Sequence, residues 1–454
     1  MPPQRRRARR GVHRLAPYRI GWLPRRRQGG DDLIDHDNGT LLPDDALSAV
    51  FARCSGAADV VRCASTCRRW GRVVAEDAAV LSRCSSLSLP PLPRLFLGFF
   101  HREDGAAGRV TARNRATVSQ PGPRFVPTRS GARLLGFPSA SLGALPDAFQ
   151  HVVGHGFFEH SRPVASRNGR LVLELRHEGR AAGLELCVCN PMTGHMALLP
   201  PLSGDDMPGT YACALFAGDD DGGQGPSPLP ATFFRLLIVY NRGGFTALRT
   251  YSSDRGRWSA EARRPGRRIK SKEMRELGQA IVLRGVAYWP LQRTALAVRI
   301  DTPEPREAPM PQAGLPAYTE QSTRLLGVTA DERLCHITSR VGVDELRMRV
   351  YLFDPNTGDC GEWEFRPGFF MPPQAEFKLR SSSYLAVNLR WFCERSGVVL
   401  FTLGQGSSRH GTFAFNIRTR EVDEIVAGVR CDSWRDFVGY EMDGAAYLAS
   451  LVCH

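Results

Sequence analysis

Lysine is almost absent from this 454-residue chain, in which Lys270, Lys272 and Lys378 are the only lysines among 60 basic residues. The sequence also lacks any apolar run near the roughly 20 residues that a helix needs to span a bilayer, and its longest candidates, 95–100 and 233–240, have the length of strands. The Arg-rich N-terminus is followed by no apolar segment, which argues against a secretory signal. These absences predict a protein of the nucleus or cytoplasm without a membrane partner.

The motifs that usually carry catalysis or bind a metal are missing. The twelve cysteines form no C-x-x-C pair, so we expect reduced, buried thiols. In the HVVGHGFFEH segment, His151, His155 and His160 are interrupted by glycines that disfavour the helix needed to place two ligands on one face. There is no P-loop, nucleophile elbow or dinucleotide fingerprint. We therefore predict no catalytic residue, no metal and no cofactor.

Positive charge is concentrated at the N-terminus. The net charge is +14, and residues 1–30 hold ten arginines and no acid. We predict a disordered arm over 1–38, whose arginine runs suit a nuclear signal, an RNA-contacting tail, an organellar transit peptide or a solvated extension without function. The remainder is only mildly basic, which argues against a nucleic-acid-binding body. A second basic cluster, 263–272, is predicted to be a solvated loop or a site for an acidic partner or phosphate.

Residues 42–81 have the pattern of short amphipathic helices. Pro43 suits the first helical position, and the acids at 44–45 favour the positive end of the helix dipole. Leu47, Val50 and Phe51 then recur at helical spacing. We predict a stop near 56, a second helix capped by Asp59, and a break near 65–66. Because forty residues bury little surface, this segment needs a neighbour or a partner to be stable.

The same residues resemble the F-box. The matching positions are Leu42, Pro43, Asp45, Leu47, Val50 and Phe51, followed by Val60, Arg62, Cys67, Arg68 and Trp70. The sequence departs from the family at Ala46, where Leu is usual, and at 53–56, where an Arg-Leu-Pro turn is usual. The alternative interpretation is an ordinary helical hairpin whose apolar stripe is internal core.

The resemblance implies a partner and a role. F-box segments bind a Skp-type adaptor and, through it, a cullin–RING ubiquitin ligase. It implies that residues 39–84 form the domain that binds the adaptor. The predicted contact residues are Leu42, Pro43, Leu47, Val50, Phe51, Val60, Val61 and Trp70. Some of them, Trp70 especially, are suited instead to packing the helices together.

From about residue 87 the periodicity changes to short strands interrupted by Gly and Pro. Five strands end in a similar polar turn, at Asn190, Ser252, Asp301, Asp354 and Asn416. Their separations are close to the length of one four-stranded propeller blade with loop insertions. We predict a propeller-like domain over 85–454 with five to seven blades, closed by 445–452 or by the segment after the F-box. An irregular β-sandwich is the alternative.

The predicted propeller resembles the kelch-like, F-box-associated domains of plant F-box proteins. The resemblance lies in Gly243-Gly244, Tyr251 and Trp258, which follow one another at the spacing of a kelch repeat. The sequence contains no Trp-Asp dipeptide, and this absence argues against a WD40 propeller.

The predicted fold class is therefore α+β and multidomain, a small three-helix F-box followed by an all-β propeller-like domain. The predicted function is a non-catalytic substrate-recognition subunit of an SCF-type ubiquitin ligase that captures an unknown protein. Two alternatives stay open: a propeller enzyme or carbohydrate binder unrelated to ubiquitin, and a nucleic-acid-binding protein that works through its arm.

Overall fold

The structure is a computed structural model, and it describes residues 42–54, 56–82, 95–103, 122–135, 140–141, 161–176, 183–217, 233–264, 268–291, 294–302, 305–310, 324–329, 331–341, 346–353, 363–370, 386–404, 411–427, 431 and 434–452. The basic arm, the three histidines of the HVVGHGFFEH segment, Asp354 and Lys378 lie outside the described residues.

The N-terminal part is helical, as predicted. It consists of α1 (Asp44–Phe51), α2 (Ala57–Thr66), α3 (Arg68–Glu76) and the one-turn α4 (Ala78–Leu81). Pro43 is the N-cap of α1 rather than its first residue. The break predicted near 65–66 is present at Cys67, which ends α2 and begins α3, and whose thiol accepts a hydrogen bond from the Trp70 N–H at 3.5 Å.

The prediction that Asp59 caps the second helix is wrong. Helix α2 begins at Ala57, and Gly56 rather than Asp59 is its N-cap. Asp59 lies instead in the first turn, where its negative charge interacts favourably with the positive end of the helix dipole and its carboxylate pairs with Arg62. The sequence pattern located this helix but misplaced its beginning, because both an N-cap and a first-turn position favour an acid.

The body contains six antiparallel sheets, which we number as blades 1 to 6. The strands are β1 (Phe96–Glu103), β2 (Arg124–Pro127), β3 (Ala140–Ser141), β4 (Arg162–Arg167), β5 (Arg170–Leu175), β6 (Gly183–Asn190), β7 (His195–Leu198), β8 (Leu202–Ser203), β9 (Tyr211–Ala217), β10 (Phe234–Asn241), β11 (Thr246–Ser252), β12 (Arg257–Trp258), β13 (Ala262–Arg263), β14 (Ile281–Leu283), β15 (Val286–Pro290), β16 (Thr294–Arg299), β17 (Pro305–Pro309), β18 (Arg324–Val328), β19 (Leu334–Val341), β20 (Leu346–Phe353), β21 (Trp363–Phe370), β22 (Ala386–Cys393), β23 (Val398–Gly404), β24 (Gly411–Asn416), β25 (Val422–Ala427) and β26 (Trp434–Glu441). Three further helices are α5 (Arg129–Leu135), α6 (Ser271–Glu276) and α7 (Gly444–Val452).

The sheets form a closed ring. Blades 1 to 5 begin at β4, β9, β14, β18 and β22, and each of these innermost strands contacts the next. Blade 6 combines β26 from the C-terminal part with β1, β2 and β3 from the segment after the helices, in the order β26-β1-β2-β3. Strand β26 contacts both β22 and β4, so the ring is complete at six blades. The fold is a six-bladed β-propeller.

The prediction that residues 445–452 form the strand that closes the propeller is wrong. These residues form α7, and the closing strand is β26, immediately before it. The paired ends align Phe96 with Glu441 and Glu103 with Trp434. The segment after the N-terminal helices supplies the other three strands of this blade, as the second of the two predicted closures implied.

Three of the five predicted polar turns recur at equivalent places, whereas Asp301 lies two residues beyond the end of β16. Asn190, Ser252 and Asn416 end the third strands of blades 1, 2 and 5, and each carbonyl accepts a hydrogen bond from the N–H four residues later at 2.8–2.9 Å. The residue at that fourth position has a positive φ: 76° at Gly194, 61° at Gly256 and 63° at Arg420. Glycine adopts this conformation without steric cost, whereas arginine does not.

The core lies between neighbouring blades rather than at the axis. The cluster between blades 4 and 5 is representative, because Ile337 of β19, Val399 and Phe401 of β23 and Phe392 of β22 are all buried in it. At Gly439 of β26 an added Cβ would lie 2.6 Å from the Trp391 ring, so the close approach of blades 5 and 6 requires glycine there. In the described part of the chain no helix is long and apolar enough to cross a membrane.

The ring has two distinct ends, which we call upper and lower. The innermost strands begin at the upper end and finish at the lower end. Because successive strands are antiparallel, the connections between the first and second and between the third and fourth strands lie at the lower end. The hairpin turns at Asn168-Gly169 and Arg284-Gly285 join first and second strands, with φ of 47° and 74° in one and 49° and 74° in the other.

Candidate functional site

The start of α1 is anchored to α3 by charge. The Asp44 carboxylate accepts hydrogen bonds from Arg69 Nε at 2.9 Å and from Arg72 Nη2 at 3.2 Å. Arg69 also donates to the Leu42 carbonyl. The hydrogen bond from Arg69 holds the pKa of Asp44 below its ordinary value of 3.8. This network fixes the exposed segment at 42–43 against the third helix.

The predicted adaptor-contact residues are not all accessible. Leu47, Phe51 and Val60 are buried in the core between the helices, and Trp70 is half-buried with its ring edge-on to Phe51, 5.5 Å between ring centroids. Val61 is half-buried against the same core. These side chains hold the helices together, as was predicted for some members of the set and for Trp70 especially.

The exposed members of the set lie at the two ends of α1. Leu42 is 47% exposed and Val50 is 52% exposed, although both are large and apolar. Pro43 is also exposed, and it stands seven residues before Val50, two helical turns away on the same face. The helical domain therefore presents an apolar surface at Leu42, Pro43 and Val50, supported from beneath by Leu47 and Phe51.

The last helix of the chain completes the core of the N-terminal helices. Helix α7 contacts α2, α3 and α4. Its Leu448 is only 2% exposed and belongs to the same cluster as Leu47, Phe51 and Val60, with Ala445 and Ala449 packed beside it. The sequence pattern over 42–81 indicated a segment that needed a neighbour, and α7 is a neighbour from the opposite end of the chain.

A polar joint connects α7 to the lower end of the propeller. Asp443 caps the helix by accepting the Ala446 N–H at 2.6 Å, and its other oxygen accepts Asn190 Nδ2 at 3.0 Å. An added Cβ at Gly169 would lie 2.6 Å from this carboxylate, so the joint closes tightly over the turn of blade 1. The Tyr440 hydroxyl donates to the Gly169 carbonyl at 3.0 Å. The helices are thus attached to the lower end of blades 1 and 6.

A buried carboxylate extends this joint to blade 5. Glu441 accepts the backbone N–H of Ser396 at 2.6 Å and that of Arg395 at 3.1 Å. Burial raises the pKa of Glu441 above its ordinary value of 4.5 even though these donors act in the opposite direction. Residues at the end of blade 6 that lead into α7 are therefore hydrogen-bonded to blade 1 and to blade 5.

The upper end carries a different polar network between blades 6, 1 and 2. Arg162 Nε donates to Glu174 at 3.0 Å, and the Tyr211 hydroxyl donates to the same carboxylate at 2.6 Å. Burial alone would raise the pKa of Glu174, but Arg162 and Tyr211 hold it below its ordinary value of 4.5. Asp436 lies between Arg162, at 3.6 Å, and Arg102, at 3.5 Å. Each acid in this network is engaged by arginine.

The axis of the propeller is crossed by polar contacts. Arg167 of blade 1 forms an ion pair with Glu394 of blade 5 at 2.9 Å. Gln279 accepts the Phe392 N–H at 2.7 Å and donates to the Phe392 carbonyl at 2.6 Å. These bonds join blades that are not neighbours, across the central channel of the ring.

Two buried histidines lie away from that channel. His101 is on the second strand of blade 6, stacked on Trp434 with 3.9 Å between ring centroids, and burial lowers its pKa to about 4. His336 is on the second strand of blade 4. Its pKa is lowered to about 3, mainly by burial and to a smaller extent by the charge of Arg324. Both are neutral at pH 7. Among the described residues no group of three His, Cys, Asp or Glu side chains is arranged as a metal site requires.

The family comparison identifies the helical part. Residues 40–84 match the family described as F-box-like. The N-terminal helices are an F-box-like domain. The match spans a tenth of the chain, so it bears on the helices and not on the propeller.

The propeller resembles solved structures only distantly. The chain is similar to the periplasmic gluconolactonase PpgL of Pseudomonas aeruginosa at 9% identity, covering 73% of this chain and 83% of that one with a TM-score of 0.38. It is also similar to the WD40 domain of SCAP from fission yeast, at 8% identity, 58% and 63% coverage and a TM-score of 0.28. No curated protein matches the chain. The six-bladed architecture rests on the strand pairing described above.

Proposed function

We propose that this protein is the substrate-recognition subunit of an SCF-type cullin–RING ubiquitin ligase. The F-box-like domain would bind a Skp-type adaptor, and the propeller would capture a target protein. The chain itself would act without catalytic residues or a cofactor, by raising the local concentration of target lysines near the charged conjugating enzyme. An intracellular location, in the nucleus or cytoplasm, belongs to this proposal.

The observation that carries the proposal is the placement of the F-box-like domain at one end of the propeller. The helices attach at the lower end through α7 and the Asp443 joint. The upper end, with its loops between second and third strands, is the opposite face of the ring. A rigid ring with variable loops on one face and an adaptor on the other is suited to holding two proteins at a fixed separation.

We also propose the domain bounds and the propeller type. The arm is 1–38, the F-box-like domain 39–84 and the propeller-like domain 85–454, from which α7 packs back onto the F-box-like domain. The kelch-like, plant F-box-associated type is supported by Tyr251 and Trp258, which pair across β11 and β12 with their rings 5.5 Å apart. Gly243-Gly244 lies at the turn between β10 and β11.

The adaptor surface that we propose consists of the predicted set as the structure arranges it. Leu42, Pro43 and Val50 would contact the adaptor directly, with Val61 and Trp70 at the edge. Leu47, Phe51 and Val60 would act by holding α1 in position. Substituting the buried members would unfold the domain, so the test must use the exposed ones.

A pull-down with a purified Skp-type adaptor tests the proposal. We expect the wild-type chain to capture the adaptor and the double variant Leu42→Asp, Val50→Asp to capture at least about tenfold less, because two apolar contacts are replaced by charges. Leu198→Asp is the control, since Leu198 is 49% exposed but lies on the propeller. Circular dichroism should be unchanged in both variants. A wild-type chain that captures no adaptor, or a double variant that captures it normally, would refute the proposal.

A further inference from the structure

The turn between β10 and β11, at the upper end of blade 2, is surrounded by arginines. Arg263 of β13 lies over the Phe245 ring, with its guanidinium carbon 4.0 Å from the ring centroid. Arg268 Nη1 donates to the Gly243 carbonyl at 3.0 Å. We call residues 242–245 together with Arg263 and Arg268 the blade 2 tip.

Thr246 fixes both arginine-bearing segments to this turn. Its carbonyl accepts the Arg264 N–H at 2.8 Å, and its hydroxyl oxygen accepts the Ile269 N–H at 3.0 Å. Thr246 is itself buried, and its hydroxyl donates to Asn241 Oδ1 at 3.0 Å. The residues next to Arg263 and Arg268 are therefore tied to the turn through Thr246, so the positions of the two guanidinium groups do not depend on flexible side-chain contacts alone.

The charge of the blade 2 tip is not balanced. Glu261 pairs with Arg242 of the tip, accepting its Nε at 2.9 Å and the Tyr240 hydroxyl at 2.6 Å. Arg263 and Arg268 form no ion pair with any described residue: one stacks on a ring and the other binds a carbonyl. Two guanidinium groups thus retain donors for a negatively charged partner.

The glycines of the tip have no internal explanation. Gly243 and Gly244 are exposed, neither has a positive φ, and an added Cβ would meet nothing within 4 Å at either position. Neither conformation nor crowding within the chain requires glycine here. Two glycines at an exposed turn do allow another chain to approach the backbone and its N–H groups closely.

We propose that the blade 2 tip binds an acidic segment, rich in Asp and Glu, of the protein that the propeller captures. This inference rests on the proposed function for the identity of its partner. Carboxylates would pair with Arg263 and Arg268, and the glycine turn would let the partner's backbone approach between them. A peptide fits better than a nucleic acid, because Arg263 covers the Phe245 face on which a base would stack.

Fluorescence anisotropy on the full chain tests this site. The probe is a labelled 12-residue peptide of alternating Glu, Asp and Gly, compared with the same peptide carrying Gln and Asn, and with a 12-nucleotide single-stranded RNA. We expect the acidic peptide to bind, and the Arg263→Gln, Arg268→Gln double variant to bind it about tenfold or more weakly. Arg257→Gln is the matched control, because Arg257 is exposed on the same blade towards its lower end. Gly243→Ala with Gly244→Ala should weaken binding without lowering the melting temperature.

Three results would overturn the inference: equal affinity for the acidic and the Gln/Asn peptide, unchanged affinity in the double arginine variant, or tighter binding of RNA that the same variant removes. Adaptor capture is measured on the same preparations. A wild-type chain that captures the adaptor but does not bind the acidic peptide defeats this site alone. Peptide binding without adaptor capture defeats the ubiquitin-ligase proposal and leaves the acidic-segment site in place.

Discussion

Helix α7 couples the two ends of the chain, and Leu448 is the residue that tests this coupling most directly. Its side chain lies in the core of the F-box-like domain, although it comes from the segment after the last propeller strand. Replacing Leu448 with alanine removes three carbons from a site that is 2% exposed. The cavity would open between α7 and the helices it contacts, α2, α3 and α4.

The magnitude follows from burial. Truncation of a fully buried leucine to alanine costs about 2–5 kcal/mol. A domain of roughly forty residues has only a few kcal/mol of its own stability, so the substitution consumes much of it. A loss of about 3 kcal/mol raises the population of the opened F-box-like domain about a hundredfold, since each 1.4 kcal/mol is a factor of ten. The propeller has its own cores between blades and should not share this loss.

Amide hydrogen exchange measures both parts in one experiment. We expect protection in α1, α2 and α3 to fall about a hundredfold in Leu448→Ala, and protection in β10 and β23 to stay within a few-fold of wild type. Leu198→Ala is the control, because it makes the same substitution at a leucine that is 49% exposed. Adaptor capture should weaken in Leu448→Ala as the opened state becomes populated.

Unchanged protection of α1 to α3 would refute the reasoning, since it would mean that α7 does not support the F-box-like core. Equal loss of protection in β10 and β23 would also refute it, because the helices and the propeller would then unfold as one unit.

Three further substitutions test other parts of the structure. Arg420→Gly should increase the free energy of unfolding by about 1 kcal/mol and so raise the melting temperature, because arginine is held at a φ of 63° that glycine adopts freely. Gln279→Ala should cost about 1–3 kcal/mol in denaturant unfolding of the propeller, because it leaves the backbone of Phe392 unpaired. Asp44→Asn should destabilise the F-box-like domain by less than about 1 kcal/mol at pH 7. The difference from wild type should begin to shrink below the ordinary pKa of 3.8 and vanish once the pH passes below the lower folded pKa, because Arg69 lowers the pKa of Asp44 in the folded state. Equal melting temperatures for Arg420→Gly and wild type, an unchanged midpoint for Gln279→Ala, or a pH-independent Asp44→Asn difference would contradict the respective argument.

Local patterns predicted the helices and most blades because both depend on short-range periodicity. The spacing of Leu47 and Phe51 located α1, and the polar turns at Asn190, Ser252 and Asn416 located the third strands of three blades. Turn chemistry is local, since the side chain and the N–H that it binds are two or three residues apart. In Asn190 and Asn416 the side-chain oxygen accepts those N–H groups in the same way.

The contact residues show where local pattern was insufficient. Helical periodicity placed Leu47, Val50 and Phe51 on one stripe, but Leu47 and Phe51 are buried while Val50 is exposed. An apolar stripe has an inner and an outer edge, and only the packing of α1 against α3 decides which edge faces the core. The blade 2 tip is a similar case, because Arg263 and Arg268 were visible as part of a basic cluster but their contacts with one turn were not.

By itself, the amino-acid sequence determined that short helices precede a series of strands with equivalent turns, and that the helices need a partner. It also determined the F-box-like match, because that signal lies in the spacing of about forty adjacent residues. Tertiary structure alone decided that six blades close through β26, that α7 is a helix completing the F-box-like core, and which side chains remain exposed. The closure through β26 and the packing of α7 depend on contacts between residues more than three hundred positions apart, for which the local sequence carries no periodic signal.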